Sequence, residues 1–163
     1  MKIAFTGAQS TGKTTLLNRM KHDPMFNLEF DFRDEITRRM QRKGLSINEG
    51  GNDITQLLIM NSHIKNSLID NVIMDRCALD GLVYTDWMSR KGKVQEWVLQ
   101  YADNVFKMLI SRYDYIFYLV PEFDIEDDGA VSYTHLRAHE TREDIVCPDG
   151  LEKKKWAGRG GGR

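Results

Sequence analysis

Eight consecutive residues, Gly7-Ala8-Gln9-Ser10-Thr11-Gly12-Lys13-Thr14, have the glycine, lysine and hydroxyl spacing that cradles a polyphosphate. The two glycines let the backbone curl until several N–H groups converge on a β-phosphate. A helix starting near Gly12 adds the positive end of its dipole. Lys13 is expected to bridge the β- and γ-phosphates and Thr14 to hold a magnesium ion beside them, with Thr15 completing the cradle. Ala8, Gln9, Ser10 and Thr11 supply the main chain between. At average glycine usage the bare pattern should arise by chance in roughly one chain of this size in a few hundred. The expected ligand is ATP with Mg2+.

Phosphoryl chemistry also needs a carboxylate near the metal and a grip on whatever receives the phosphate. Asp75 follows the apolar run Val72-Ile73-Met74, so it stands where the end of a buried strand can reach magnesium, directly or through water. It can act as metal anchor or as the base that orients an acceptor oxygen. Arg76 is expected on phosphate or on the sugar end of the acceptor; an Asp–Arg ion pair capping a helix is the competing reading. A guanine-nucleotide switch would show Asp-x-x-Gly here and Asn-Lys-x-Asp later, and neither is present. The catalytic set is therefore Lys13, Asp75 and Arg76, with Thr14 and Asp75 as metal ligands. A third segment places Glu35, Arg38, Arg39 and Arg42 on one helical face. Glu35 could grip a sugar hydroxyl, and Arg38 and Arg39 an anion. Alternatively the segment is a solvated face of weak local Glu–Arg pairs.

These groups need a scaffold that brings them to one edge. Residues 2–6 read as a strand and 12–21 as a helix. Residues 28–32 alternate with period two and predict a second strand. Asp34 is placed to cap a helix over 35–43 that Gly44 closes. Ile54, Leu57, Leu58, Asn61, Ile64 and Leu68 share one face of the next helix, and residues 72–75 suit a central parallel strand. Leu79, Leu82 and Val83 mark another helix. Val94, Trp97, Val98, Tyr101, Val105, Met108 and Leu109 mark the one after it, and residues 115–120 form a fourth strand stopped by Pro121. Strands alternating with helices mean βαβ units and a parallel sheet covered on both faces. The expected fold class is a three-layer α/β/α phosphate-loop architecture with about four recognisable strands.

At 163 residues the chain suits a single core. Its net charge of −1 gives no electrostatic reason to expect nucleic acid or a membrane as partner. The expected partners are ATP and a small-molecule phosphoryl acceptor. No apolar run is long enough to span a bilayer, and Met1-Lys2 leads straight into the first strand without a signal peptide. Cys77 and Cys147 lack metal-ligand spacing and read as reduced thiols of a cytoplasmic protein. Readable periodicity ends near Ala130. Residues 131–163 hold seven Lys/Arg against five Asp/Glu and finish in low complexity. The stretch Val131-Ser132-Tyr133-Thr134-His135-Leu136-Arg137-Ala138-His139-Glu140-Thr141 resembles translated sequencing adapter joined to a truncated reading frame. We therefore expect a nucleotide-binding domain over 1–130, incomplete at its C-terminal end, and a disordered non-native tail over 131–163. A natural basic tail is the alternative. On either reading His135 and His139 are not a metal pair. The only tail segment that could supply a fifth strand is Ile145-Val146-Cys147.

Residues 7–15, Glu35 with Arg38, and Asp75-Arg76 together resemble the small phosphate-loop kinases grouped with the ribosylnicotinamide kinase module of NAD-biosynthesis regulators. Members of that group are also described as AAA-domain ATPases or kinases. The Asp75-Arg76-Cys77 run is similar to the Asp-Arg-Ser motif of thymidylate-kinase-like and deoxynucleoside-kinase-like enzymes, with cysteine in place of serine. The resemblance implies transfer of the γ-phosphoryl of ATP to a nucleoside, nucleotide or related metabolite. It also implies a lid with arginines after the fourth strand, of which residues 122–129 look like the start; the resemblance stops there, and a chain that has lost its lid is expected to bind nucleotide with little or no phosphoryl transfer. Two other readings compete: an ATPase that couples hydrolysis to motion or regulation, and a non-catalytic truncated fragment that binds nucleotide weakly or fails to fold.

Overall fold

The computed structural model describes residues 1–120. Four strands form one parallel sheet: β1 (Lys2–Thr6), β2 (Asp31–Arg33), β3 (Val72–Asp75) and β4 (Tyr115–Tyr118). Their order is β2-β3-β1-β4, with Phe5 opposite Asp75 and Arg33 opposite Met74. Because every strand runs the same way, the loops after Thr6, Arg33 and Asp75 all emerge at one edge. The three segments expected to do chemistry are those three loops.

Alternation along the strands sorts residues into two cores, one on each face of the sheet. Ala4, Val72, Met74 and Ile116 meet α4 (Asp53–Ser67), α5 (Ala78–Arg90) and α6 (Glu96–Leu109) on one side. Ile3, Phe5, Ile73 and Phe117 meet α1 (Lys13–His22) and the short α2 (Pro24–Asn27) on the other. Ile73 and Val72 are fully buried, each stabilising the fold by about 1.5–3 kcal/mol relative to exposure. This is the expected three-layer α/β/α architecture. Among the described residues no helix is long and apolar enough to cross a membrane. The expected lid, the 145–147 strand and the tail lie outside the described residues.

Three sequence expectations shift. The second strand begins at Asp31 rather than at residue 28: Pro24 opens α2, Asp23 caps it through the Met25 N–H, and Leu28 is left 84% exposed. Asp34 does not cap α3 (Ile36–Gln41); its carboxylate pairs with Lys21, and the N-cap position falls to Glu35 without a side-chain cap bond. Gly44 does close the segment, its N–H donating to the Gln41 carbonyl at 2.9 Å.

The largest shift concerns α4. Ile54 and Leu68 lie 65% and 68% exposed, whereas Gln56, Ile59, Met60, His63 and Ser67 are buried. The chosen face was the more apolar one, yet the helix turns a partly polar stripe inward. That stripe borders the cavity described next.

Candidate active site

The phosphate loop leaves β1 through Gly7, whose φ of 136° is accessible to glycine and whose Cβ, if present, would collide with the Leu119 carbonyl oxygen. Ser10 and Gly12 also adopt positive φ, and Gly12 then occupies the N-cap of α1. Lys13 is buried at the first position of that helix. Its ammonium donates to the Gly7 carbonyl at 2.7 Å, to the Ala8 carbonyl, and to Thr11 Oγ1 at 3.0 Å. Burial and the nearby Arg76 cation push its pKa down, against the pull of Asp80, Asp75 and Glu35. A lysine held this way has donors that phosphate oxygens can take over. Thr15 is exposed on α1, outside this cluster.

Thr14 and Asp75 are brought together across the β1–β3 crevice: Thr14 Oγ1 donates to Asp75 Oδ2 at 3.2 Å. Asp75 Oδ1 is buried and has no hydrogen-bond partner among the described residues. Burial, with Glu35 nearby, pushes the Asp75 carboxyl up; Arg76, Thr14 and Lys13 act the other way. A hydroxyl and a carboxylate with one unsatisfied oxygen are hard donors suited to Mg2+, which binds through one or two protein oxygens plus substrate phosphates. The residues present fit that ion.

Arg76 follows directly, at φ 72°, its N–H tied to the Phe5 carbonyl at 2.8 Å. The turn swings its guanidinium between two carboxylates. Nε donates to Glu35 Oε1 at 2.9 Å, and a terminal nitrogen to Asp80 Oδ1 at 3.1 Å. Burial opposes the Arg76 charge, but Asp80 and Glu35 hold it protonated above its ordinary value. Burial opposes the Glu35 charge as well. Arg76, the Thr37 hydroxyl at 2.8 Å and Arg38 at 2.9 Å together outweigh it and hold the carboxyl below the usual range. Asp80 also accepts from Thr6 Oγ1 at 2.8 Å and the Cys77 N–H at 2.9 Å, which locks the start of α5 to the end of β1. The ion pair at the start of α5 therefore joins Arg76 to Asp80 rather than to Asp75, and Arg76 borders the cavity described next.

A cavity of about 100 Å³ opens beside this network. Gln9 of the phosphate loop, Glu35 and Arg76 border it on one side. Gln56, Ile59 and His63 of α4 form another wall, and Asp80, Gly81, Tyr84 and Trp87 of α5 a third. Arg38 reaches the site through Glu35 while staying 60% exposed. Arg39 on α3 and Arg42 at its C-cap are exposed and do not line the cavity. Sequence reasoning missed Asp80, Gln56, His63, Tyr84 and Trp87. Asp80 had a signal, being four residues after Arg76 at the start of a helix. The other four resemble ordinary helix residues until the helices are packed.

Residues 2–145 match an AAA-domain family. No curated protein sequence matches the chain. Among solved structures, the chain is similar to a NadR protein solved in complex with NR, at 18% identity and a TM-score of 0.64. That likeness covers 88% of this chain and 40% of the NadR chain, so the two share a fold over less than half the larger protein. A deoxyadenosine kinase from M. mycoides with bound dATP is similar at 17% identity and a TM-score of 0.43, over 73% of this chain and 64% of the other. A thymidylate kinase from Ehrlichia chaffeensis is similar at 17% identity and a TM-score of 0.37, over 85% and 96%.

Proposed function

The chain belongs to this AAA-domain family, and we propose that it is a magnesium-dependent kinase transferring the γ-phosphoryl of ATP to a hydroxyl of a small, nucleoside-like acceptor. One observation carries the reading: Gln9 of the phosphate loop borders a cleft that Glu35 and Arg76 also line, so the phosphate cradle and the cleft are neighbours. An ATPase needs a water near the γ-phosphate but no walled cavity beside it.

In this reading Lys13 exchanges the Gly7 and Ala8 carbonyls for β- and γ-phosphate oxygens. Thr14 and Asp75 would hold Mg2+, which would supply charge neutralisation at those phosphates. Glu35, held ionised by Arg76, Thr37 and Arg38, accepts the proton of the acceptor hydroxyl. The acceptor oxygen bonds to Pγ, the bond from Pγ to the β,γ-bridging oxygen breaks, and ADP leaves. Asp75 engages Thr14 and does not border the cavity, which favours metal anchor over base. Arg76 offers positive charge where the transferred group passes.

Charge also selects the acceptor. Among the described residues the cavity is bordered by the carboxylates of Glu35, Glu49 and Asp80 against the guanidinium of Arg76. That balance favours a neutral or cationic acceptor over one already phosphorylated. Tyr84 and Trp87, 5.4 Å between ring centroids, offer aromatic surface to a planar ring.

The test is ADP release by the full chain with Mg2+ and ATP, alone and with adenosine, guanosine, cytidine or thymidine. Release that depends on a nucleoside supports the kinase. Equal release without one points to the ATPase. No release, with no rise in melting temperature at millimolar ATP, leaves the non-catalytic fragment.

A further inference from the structure

We propose that His63 is a specificity-determining residue of the acceptor cavity, hydrogen-bonding a polar group of the bound acceptor through its imidazole. The proposal rests on the kinase reading. His63 lies on α4, two turns beyond Gln56, and borders the cavity with it while only 3% exposed. Its Nδ1 is buried without a hydrogen-bond partner among the described residues.

The polar neighbours in the same walls are differently placed. Gln56 Oε1 accepts from Thr85 at 3.1 Å, and its Nε2 approaches Met88 Sδ at 3.2 Å. Asp80 and Glu35 are bound into the Arg76 network. His63 alone among these brings a polar ring to the cavity with nothing among the described residues to satisfy Nδ1. A buried polar atom of that kind is costly to a fold and calls for an explanation. A ligand that supplies the missing partner is one.

The helices pack closely beside the ring. A Cβ at Gly81 of α5 would stand only 2.6 Å from Met60 Sδ, and 3.6 Å from His63 Cδ2, an ordinary contact. Glycine at this point lets α5 approach α4 closely enough for both to wall the cavity. Burial pushes the His63 pKa down to about 4, Asp80 pulling it up and Arg76 pushing it further down. At neutral pH the ring is therefore uncharged, with one nitrogen as donor and the other as acceptor. It would pair with a ring nitrogen, carbonyl or amide on the acceptor. A site built around such a bond rejects analogues that lack the matching group, because its own polar atom is then left unpaired.

The experiment uses the full chain, Mg2+-ATP and the same four nucleosides, with His63→Leu and His63→Gln as variants. For the nucleoside that wild type prefers, His63→Leu should raise KM by about tenfold or more and narrow the preference among the four. The kcat and the KM for ATP should stay within about threefold, since neither depends on this contact. His63→Gln, which keeps a donor and an acceptor, should recover part of the loss. The melting temperature of His63→Leu should equal or exceed wild type, because an unpartnered polar atom has been removed. A KM that rises equally for every nucleoside, with a lower melting temperature and no rescue by glutamine, would mean a packing role and overturn the proposal. The imidazole nitrogen resonances of His63, assigned by their loss in His63→Gln, separate the two readings. Nucleoside-dependent turnover without a shift of those resonances on nucleoside addition overturns the His63 assignment alone. No turnover and no nucleoside binding overturns both.

Discussion

The two halves of the site are built by different means. On the phosphate side, residues 7–14 are contiguous, and most of the geometry is main chain: positive φ at Gly7, Ser10 and Gly12, and a helix starting at Lys13. On the acceptor side, Glu35, Gln56, His63, Arg76 and Asp80 come from two loops and two helices, and they meet the cavity through side chains. Main-chain recognition depends on a local conformation and so leaves a local sequence trace. Side-chain recognition depends on how helices pack and leaves none that is contiguous. The first kind suits a ligand common to many proteins, the second a ligand particular to this one.

If the halves are separable in this way, a change in one should leave the other intact. The largest effect expected is that of Glu35→Gln. Acceptor-dependent turnover should fall by about 10²–10⁴-fold, the contribution of a positioned general base, while the Kd for Mg2+-ATP stays within about threefold. Single-turnover kinetics beside an ATP titration would check it. Equal losses in both would show that Glu35 also supports the phosphate loop and that the halves are not separate.

A smaller effect, on stability, comes from His63. The unfolded ring takes a proton near pH 6.5 and the folded one resists until about pH 4. Between these values the unfolded chain binds more protons, so acidification favours unfolding and stability rises with pH. The contribution of this one ring should be absent above about pH 6.5 and reach about 3 kcal/mol of lost stability by pH 4. Denaturant melts of wild type and His63→Leu across that range would isolate it, the variant losing less on acidification. Parallel curves would mean that the folded protein protonates His63 without difficulty.

The smallest effect is expected from Arg39→Ala. Arg39 is exposed and borders neither half. Turnover should change by no more than about twofold and stability by about 0.5 kcal/mol or less. A large loss of turnover would bring α3 into acceptor binding and restore the anion-binding face expected from its arginine spacing.

The legibility of the chain follows the same division. β1 and β3 were readable because an apolar run ending in Asp75, and another leading toward Gly7, have few other uses, whereas the start of β2 was not. β4 was readable for its aromatic run. α4 misled because its inward stripe carries Gln56 and His63, while Ile54 and Leu68 point outward; amphipathicity identifies the buried face only where burial is apolar. Glu35 was legible as a residue near the site but not in its partnership with Arg76. That pairing joins residues 41 apart and exists because β2 and β3 are neighbours in the sheet. Asp34 was assigned the capping role on local grounds and instead reaches Lys21 on α1, a tertiary contact no local rule contains.

The most direct test of the account is the titration of Mg2+-ATP into wild type and Lys13→Ala by calorimetry, with melting curves of both to confirm that the variant is folded. Lys13 contributes the one side-chain cation inside the loop, held by Gly7, Ala8 and Thr11. The account expects saturable binding by wild type and loss of measurable binding by a variant that melts normally. Equal affinity for Mg2+-ATP in a folded Lys13→Ala protein would contradict it.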